Sequence, residues 1–325
     1  VDTEYAVSDE KLTAMGVSKG HMTLVDGAER AALLAQLADQ EARQTGGGSA
    51  GNTVVAFAQF GGSAFYSCRV ADDQLGRFYA ADLAQNGVRS NLAQPSKGLS
   101  SGAETGCCLV LVTPDAERSM STYLGTTAEL DASALDLDAI GDAGVYYMEG
   151  YLAASPSGLD AAVKGRAQAV TKGVPLALTL SDVSMINFCK PGLDAMLGTG
   201  VDYLFCNEEE AQVWCGVTEQ ALVNAALAPL AKTVCLTRGA KGTLVLQGGQ
   251  VHDVPGFPVK ALDANGAGDM FAGAFLYGLS EGMTAPQAAS LANKAASVVV
   301  AQRGNRLTTE GVRALLSDWR ALSAT

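Results

Sequence analysis

The sequence predicts an α/β fold, a mostly parallel sheet covered by helices on both faces, with a small β-sheet lid beside it. From Val145 onward short apolar runs alternate with longer amphipathic ones, the strand–helix–strand rhythm of a parallel sheet. Near the end, a glycine-rich turn at 263–268 opens a strongly apolar helix. Between Cys107 and Leu124 two strand-like runs break the rhythm, which sets a separate small sheet apart from the core.

Taken in order, Val54–Phe60 reads as helix after a glycine cluster. Ala64–Val70 reads as strand, and Asp73–Asn86 as helix closed by Gly87. Cys107–Thr113 and Arg118–Leu124 flank Pro114-Asp115-Ala116-Glu117, a hairpin turn. Val145–Met148 is a strand, followed by a helix near Gly158–Lys172. Pro175–Leu180 precedes a helix near Val183–Leu197, and Tyr203–Cys206 precedes Glu208–Cys215. Thr233–Thr237 and Thr243–Leu246 form a strand pair around Gly239 and Gly242. Helices over Ala267–Glu281 and Ala285–Arg303 follow. There is no internal repeat and no long linker, so one large domain is expected over residues 1–325.

Composition narrows the function. A chain of 325 residues with 48% hydrophobic content buries a large core, and its 17% of charged residues form no like-charge block. A formal net charge of −12 argues against nucleic acid or an anionic membrane as partner, where a basic surface is needed. It leaves anionic small ligands open, since local N–H groups, Arg, Lys or Mg²⁺ outweigh a global field. No apolar run nears the roughly 20 residues that cross a bilayer. No signal peptide is recognisable, and Val1 is not an initiator Met, so earlier residues are expected. Seven scattered cysteines with no C-x-x-C, and two histidines near none of them, speak against a zinc site or disulfide framework. Reduced, mostly buried thiols and a cytoplasmic location are the expectation.

The chemistry centres on Asp263-Ala264-Asn265-Gly266-Ala267-Gly268-Asp269. Unpaired N–H groups at a helix start bind anions, and the helix dipole adds to them. Gly266 and Gly268 let backbone approach a phosphate without side-chain obstruction. A carboxylate beside a phosphate is repelled, so Asp269 needs a reason to be there. Taking a proton from a hydroxyl while the N–H groups hold the transferring phosphoryl group supplies one. The structural alternative is an aspartate capping a helix behind a glycine turn.

Gly46-Gly47-Gly48-Ser49-Ala50-Gly51-Asn52 contains a literal G-x-G-x-x-G, with acids at Asp72 and Asp73. The polar residues before it form no buried strand, which rules out a dinucleotide fingerprint. Glycines forming a flexible joint, then a helix carrying Ser49 and Asn52 on its first turn, fit better. Asn52 offers both donor and acceptor to a polyhydroxyl substrate. Asn207-Glu208-Glu209-Glu210 follows the strand Tyr203–Cys206, at the end where open α/β sheets bind ligands. Asn207 and Glu210 share a helix face and could arrange a hydrated Mg²⁺, or the acids could simply compensate the helix dipole. Thr237-Arg238-Gly239-Ala240-Lys241-Gly242 leaves a strand on glycines, to wrap a nucleotide or only to turn.

Together these segments resemble the ribokinase (PfkB) family of carbohydrate and nucleoside kinases over essentially the whole chain. Asp263–Asp269 is similar to its D-T-x-G-A-G-D signature, and Gly47–Asn52 to its G-G-x-x-x-N segment. Val70-Ala71-Asp72-Asp73-Gln74-Leu75-Gly76 is similar to V-G-x-D-x-x-G, and Asn207–Glu210 to the N-x-x-E magnesium motif. Asn265 and the run Met22–Asp26 are most similar to adenosine kinase-like bacterial members. The resemblance implies a ribokinase-like fold with lid segments at about 3–26 and 105–125, ATP as donor, and Mg²⁺. It implies Asp269 as general base, with Gly266, Ala267 and Gly268 as the anion hole. Asp2, Gly48 and Asn52 would hold substrate hydroxyls. Asn207, Thr237, Gly239, Gly242 and Asn293 would line the nucleotide, and Glu210 would organise the metal through water. The acceptor expected is a primary hydroxyl of a nucleoside, adenosine foremost. A sugar (ribose, fructose or a 2-keto sugar acid) is the alternative, and a non-catalytic nucleotide- or sugar-binding sensor a second. Phe65, Tyr66, Tyr123 and Leu124 could line a base slot or serve as core. The chain is expected to act as a monomer or as a homodimer through the lid. Ala264 for Thr and Ala71 for Gly depart from the family pattern without removing base or hole.

Overall fold

A computed structural model describes residues 1–93, 99–100, 104–115 and 117–323. In the first half the strands are β1 (Asp2–Ala6), β2 (Met22–Leu24), β3 (Ala42–Thr45), β4 (Ala64–Tyr66), β5 (Val70–Ala71), β6 (Val88–Ser90), β7 (Leu99–Ser100), β8 (Cys107–Val112) and β9 (Arg118–Tyr123). The helices among them are α1 (Asp9–Ala14), α2 (Gly27–Gln36), α3 (Ser49–Phe60) and α4 (Gln74–Gln85). The second half holds α5 (Leu137–Gly141), β10 (Tyr146–Glu149), α6 (Pro156–Lys172), β11 (Leu176–Thr179), α7 (Val183–Leu197), β12 (Val201–Asn207), α8 (Glu208–Cys215) and α9 (Gln220–Leu227). Then come β13 (Ala231–Thr237), β14 (Thr243–Gln247), β15 (Gln250–Val254), α10 (Ala267–Ser280), α11 (Ala285–Val300) and α12 (Thr309–Ser323).

The main sheet runs β10-β11-β12-β13-β14-β15. The first four strands are parallel, and two antiparallel hairpin steps follow. Alternate side chains of each strand leave for opposite faces. Ala177, Phe205, Cys235 and Val245 join one buried cluster, packed with Phe271 and Phe275 of α10 and Leu291 and Ala295 of α11. Their neighbours Leu178, Leu204, Val234 and Leu244 join the other, with Ala162 of α6, Leu193 of α7 and Ala211 of α8. Helices thus cover both faces, as the rhythm from Val145 predicts.

A second sheet, ordered β2-β9-β8-β1-β3, stands apart. Its β8–β9 hairpin is the expected one, closed by Thr113 N–H donating to Glu117 O at 3.0 Å. Ala116 of the turn lies outside the described residues. Its strand β3 is polar and nowhere fully buried, pairing antiparallel with β1 as an edge strand, which an apolar-run reading passes over.

Two local expectations are corrected, and one helix keeps its expected bounds but bends. The segment Ala64–Val70 is broken into β4 and β5, because Cys68 bonds to a side chain instead of a strand. Asn91 Oδ1 accepts from its N–H at 3.0 Å, and Asn91 Nδ2 donates to its carbonyl at 2.9 Å. Helix α7 kinks at Cys189 (φ −124°, ψ 17°), ahead of Pro191, which has no N–H and crowds the preceding turn. The helix expected over Ala285–Arg303 stops at Val300, leaving Ala301–Arg306 as a loop. Among the described residues no helix is long and apolar enough to cross a membrane, and the seven cysteines are unbonded to one another.

Candidate active site

Helix α10 begins where the chain turns left-handed. Gly266 is its N-cap at φ 75°, a conformation only glycine adopts cheaply. An added Cβ there would lie 2.3 Å from Asn305 O, so a close backbone approach also requires glycine. At Gly268 an added Cβ would meet nothing within 4 Å, so the space over the helix start is open. The Ala267 N–H already donates to Ala264 O, at a long 3.3 Å. An anion must share or displace that bond.

Asp269 sits on the first turn of α10, partly exposed. Ser49 Oγ donates to its Oδ1 at 2.7 Å and Asn52 Nδ2 to its Oδ2 at 2.9 Å. Burial raises its pKa above the ordinary aspartate value, against the Asn52 and Ser49 hydrogen bonds and the Arg306 charge. The Asp2 charge pushes the same way as burial. A carboxyl raised in this way lies closer to the range where proton transfer works at neutral pH.

Asp2 and Gly48 belong to the same cluster. Asp2 starts β1 and accepts from Asn305 Nδ2 at 3.0 Å. Burial raises its pKa, with Arg306 and Arg118 opposing. A Cβ on Gly47 would lie 2.3 Å from Asp2 Oδ1, and one on Gly46 2.1 Å from Asp82 Oδ2. These two glycines are sites of close packing, not the flexible joint that their clustering suggests. Gly48, the N-cap of α3 at φ 84°, has open space where a Cβ would stand.

The other group lies at the carboxyl ends of β12 and β13, where Asn207 and Thr237 are register partners. Asn207 and Glu210 form a capping box. Glu210 N–H donates to Asn207 Oδ1 at 2.8 Å, while Asn207 Nδ2 and N–H donate to Glu210 Oε1 and Oε2 at 2.7 and 3.1 Å. Glu210 is buried, which pushes its pKa up to about 7. Gly239 (φ 56°) has open space at its Cβ. At Gly242 (φ 92°) a Cβ would lie 2.1 Å from Val254 O, so that glycine serves the wall of the turn. Thr237 Oγ1 donates to Cys206 O at 3.4 Å. Asn293 commits its amide inward: Oδ1 accepts from Thr243 at 2.7 Å, and Nδ2 donates to Val254 O and Pro255 O at 3.1 Å each. It braces the wall and has no N–H left for a ligand.

Sequence reasoning missed four side chains. Glu149, at the carboxyl end of β10, accepts from the Ala50 N–H at 2.7 Å, and burial pushes its pKa up to about 7, with Asp269 adding to the rise. Tyr151 lies in the field of Asp182, Glu149, Asp269 and Glu210, which joins the two halves of the site. Burial first, then those charges, raises its pKa. Asn305 and Arg306 reach in from the loop after α11. Only Glu149 had a signal, its place at the end of a parallel strand. The aromatic residues suggested for a base slot do not gather. Tyr123 packs in the small-sheet core under Arg30, and Phe65 lies under Arg89.

The model of the pfkB family carbohydrate kinases matches residues 23–310. An adenosine kinase of Schizophyllum commune is 31% identical over 265 residues, 74% of this chain and 74% of its own length. A ribokinase of Haemophilus influenzae is 29% identical over 266 residues, 79% of this chain and 82% of its own. The crystal structure of adenosine kinase from Sinorhizobium meliloti superposes with a TM-score of 0.85 at 32% identity, over 97% of this chain and 96% of that one. The α/β core is thus that of a ribokinase-like, ATP-dependent kinase, and the chain belongs to the pfkB family of carbohydrate kinases.

Proposed function

We propose that this kinase transfers the γ-phosphoryl group of ATP to a primary hydroxyl of a nucleoside, adenosine foremost, with Asp269 as general base. The observation that carries the reading is the Asp269 carboxylate, placed on the first turn of α10 and held by Ser49 and Asn52. Each carboxylate oxygen keeps a lone pair for an incoming hydroxyl. Asp269 takes the hydroxyl proton, the oxygen attacks the γ-phosphorus, and the bond to ADP breaks. The Gly266, Ala267 and Gly268 N–H groups stabilise the charge on the transferring group. Asp2, Gly48 and Asn52 orient the acceptor. Asn207, Thr237 and Gly239 line the nucleotide, with Gly242 and Asn293 holding its wall.

Among the described residues no three His, Cys, Asp or Glu side chains gather as a direct metal cage. A single buried Glu210 suits a hydrated Mg²⁺ held through water, the form this ion prefers beside phosphates. When bound, that ion offsets phosphate charge. The five-stranded sheet is assigned as the lid that keeps water from ATP.

Adenosine is favoured by the 31% and 32% identical adenosine kinases. A sugar acceptor is the second reading, supported by Glu149, a further acid beside Asp269 able to take a hydroxyl hydrogen bond. ADP release with Mg·ATP should be measured against adenosine, inosine, guanosine, ribose, fructose and a 2-keto sugar acid. Strong acceleration by adenosine is the expected result. Acceleration by a sugar alone keeps the chemistry and replaces the acceptor. Silence on every acceptor with ATP still bound would favour a sensor and overturn the reading.

A further inference from the structure

The loop after α11 sends two adjacent side chains into the acceptor site from outside any motif. Asn305 Nδ2 holds Asp2, and Arg306 Nε donates to Asn52 Oδ1 at 2.7 Å. Arg306 Nη1 runs on to Asp82 Oδ2 of α4 at 2.6 Å, in a pair whose side chains are 12% and 20% exposed. Gln302 Nε2 donates to the Arg306 carbonyl at 2.8 Å, which fixes the loop beneath the guanidinium.

A carboxamide has nearly the same shape either way round but opposite chemistry at its two ends. Asn52 supports Asp269 only with Nδ2 toward it. Flipped, its carbonyl oxygen would face a carboxylate. A guanidinium has donors and no acceptor, so Arg306 admits a single orientation, with Oδ1 toward itself and Nδ2 toward Asp269. Asp82 in turn fixes the guanidinium. Space for the pair exists only because residue 46 is glycine, where a Cβ would lie 2.3 Å from Arg306 Nη1.

We propose that Arg306, anchored by Asp82, is a positioning residue for phosphoryl transfer, locking the Asn52 amide with its donor on Asp269 so that the base is aimed at the acceptor hydroxyl. The proposal rests on Asp269 being the base. Its charge also favours ionised Asp269, against burial and the nearby Asp2. Glu149, Tyr147 and Tyr151 are the other titratable groups facing that carboxylate.

The test uses the full chain with its best acceptor, taking kcat, KM and the pH profile of ADP release for R306M, R306K and D82N, with a thermal melt of each. R306M is expected to lower kcat by roughly 10- to 100-fold, the scale of a misplaced catalytic group, with a smaller change in KM. Its acid limb in kcat/KM should move to higher pH. R306K should bring that limb back while leaving most of the kcat loss, because an ammonium cannot reproduce the fixed fork to Asn52 and Asp82. If R306M does not fold, D82N decides, since it keeps the charge but frees the guanidinium. A fall in kcat without an upward-moving limb is then expected. Wild-type kcat in R306M, or in D82N where it stands in, overturns the proposal. Turnover retained by D269N in the same assay would instead remove the base assignment beneath it, a separate failure.

Discussion

Arg118 Nη1 donates to Asp263 Oδ2 at 2.6 Å, and this ion pair ties strand β9 of the small sheet to the first residue of the turn that opens α10. Arg118 also pairs with Glu4 of β1 at 3.3 Å. Asp263 spends its remaining capacity on the turn, accepting from Asn265 N–H at 3.0 Å and Gly304 N–H at 3.3 Å. One carboxylate therefore joins the proposed lid, the proposed anion turn and the loop that carries Arg306.

Breaking that pair should uncouple lid from turn. Both side chains are largely buried, at 18% and 9% exposure, and removing one partner of a buried pair costs about 3–5 kcal/mol. Arg118→Met is expected to lower the melting temperature and to raise ATP hydrolysis without acceptor relative to transfer. Comparing ADP release with and without acceptor tests this. An unchanged ratio in a folded variant would show that the pair does not govern closure.

Asp269→Asn keeps the shape of the side chain and removes the proposed base. Turnover should fall about 10²–10⁴-fold, the usual worth of positioned proton transfer, while ATP binding measured by calorimetry stays near wild type. Near-normal turnover would take Asp269 out of the role.

Glu149 makes stability depend on pH in a direction that can be worked out. Its ordinary value is 4.5 and in the fold it is pushed up to about 7, so the native state binds more protons than the unfolded one between those values. Its contribution is full below pH 4.5 and is lost as pH rises toward 7, at most about 3 kcal/mol. Glu149→Gln retains an acceptor for the Ala50 N–H and cannot ionise. Its melting temperature should gain on wild type from pH 5 to about pH 7 and level off above that. Parallel curves for the two proteins would refute the assignment.

The core was legible because its signals are local. Leu178 and Ala177, or Leu204 and Phe205, sit in apolar runs whose alternation shows only in the structure but whose burial is plain in sequence. Glycine turns before α3 and α10 announce helix starts, and Asp269 and Asn52 follow them at fixed spacing. Arg306 and Asn305 were not legible. They lie in a polar loop with no motif, and their importance comes from contacts to Asn52 and Asp2 about 250 and 300 residues away in the chain. The same holds for β3, whose polar residues pair by backbone alone. The glycine cluster was read correctly in place and wrongly in kind, since only packing reveals that Gly46 and Gly47 make room for Arg306 and Asp2.

Two glycines of the anion turn should respond to alanine in opposite ways. At Gly266 the backbone is left-handed (φ 75°) and a Cβ would lie 2.3 Å from Asn305 O. Gly266→Ala must strain its own turn and push the loop that holds Asp2 and Asn52, so melting temperature and kcat should fall together. Gly268 is helical, exposed and has nothing within 4 Å of the added atom. There alanine is the better helix former by up to about 1 kcal/mol, so the melting temperature should hold or rise. The methyl group would nevertheless occupy the space over the helix start where the transferring phosphoryl group is expected, and kcat should drop while the protein stays folded. Measuring both quantities on both variants separates support of the turn from occupancy of the hole. A Gly268→Ala enzyme with wild-type kcat would mean that the phosphoryl group does not pass over that position.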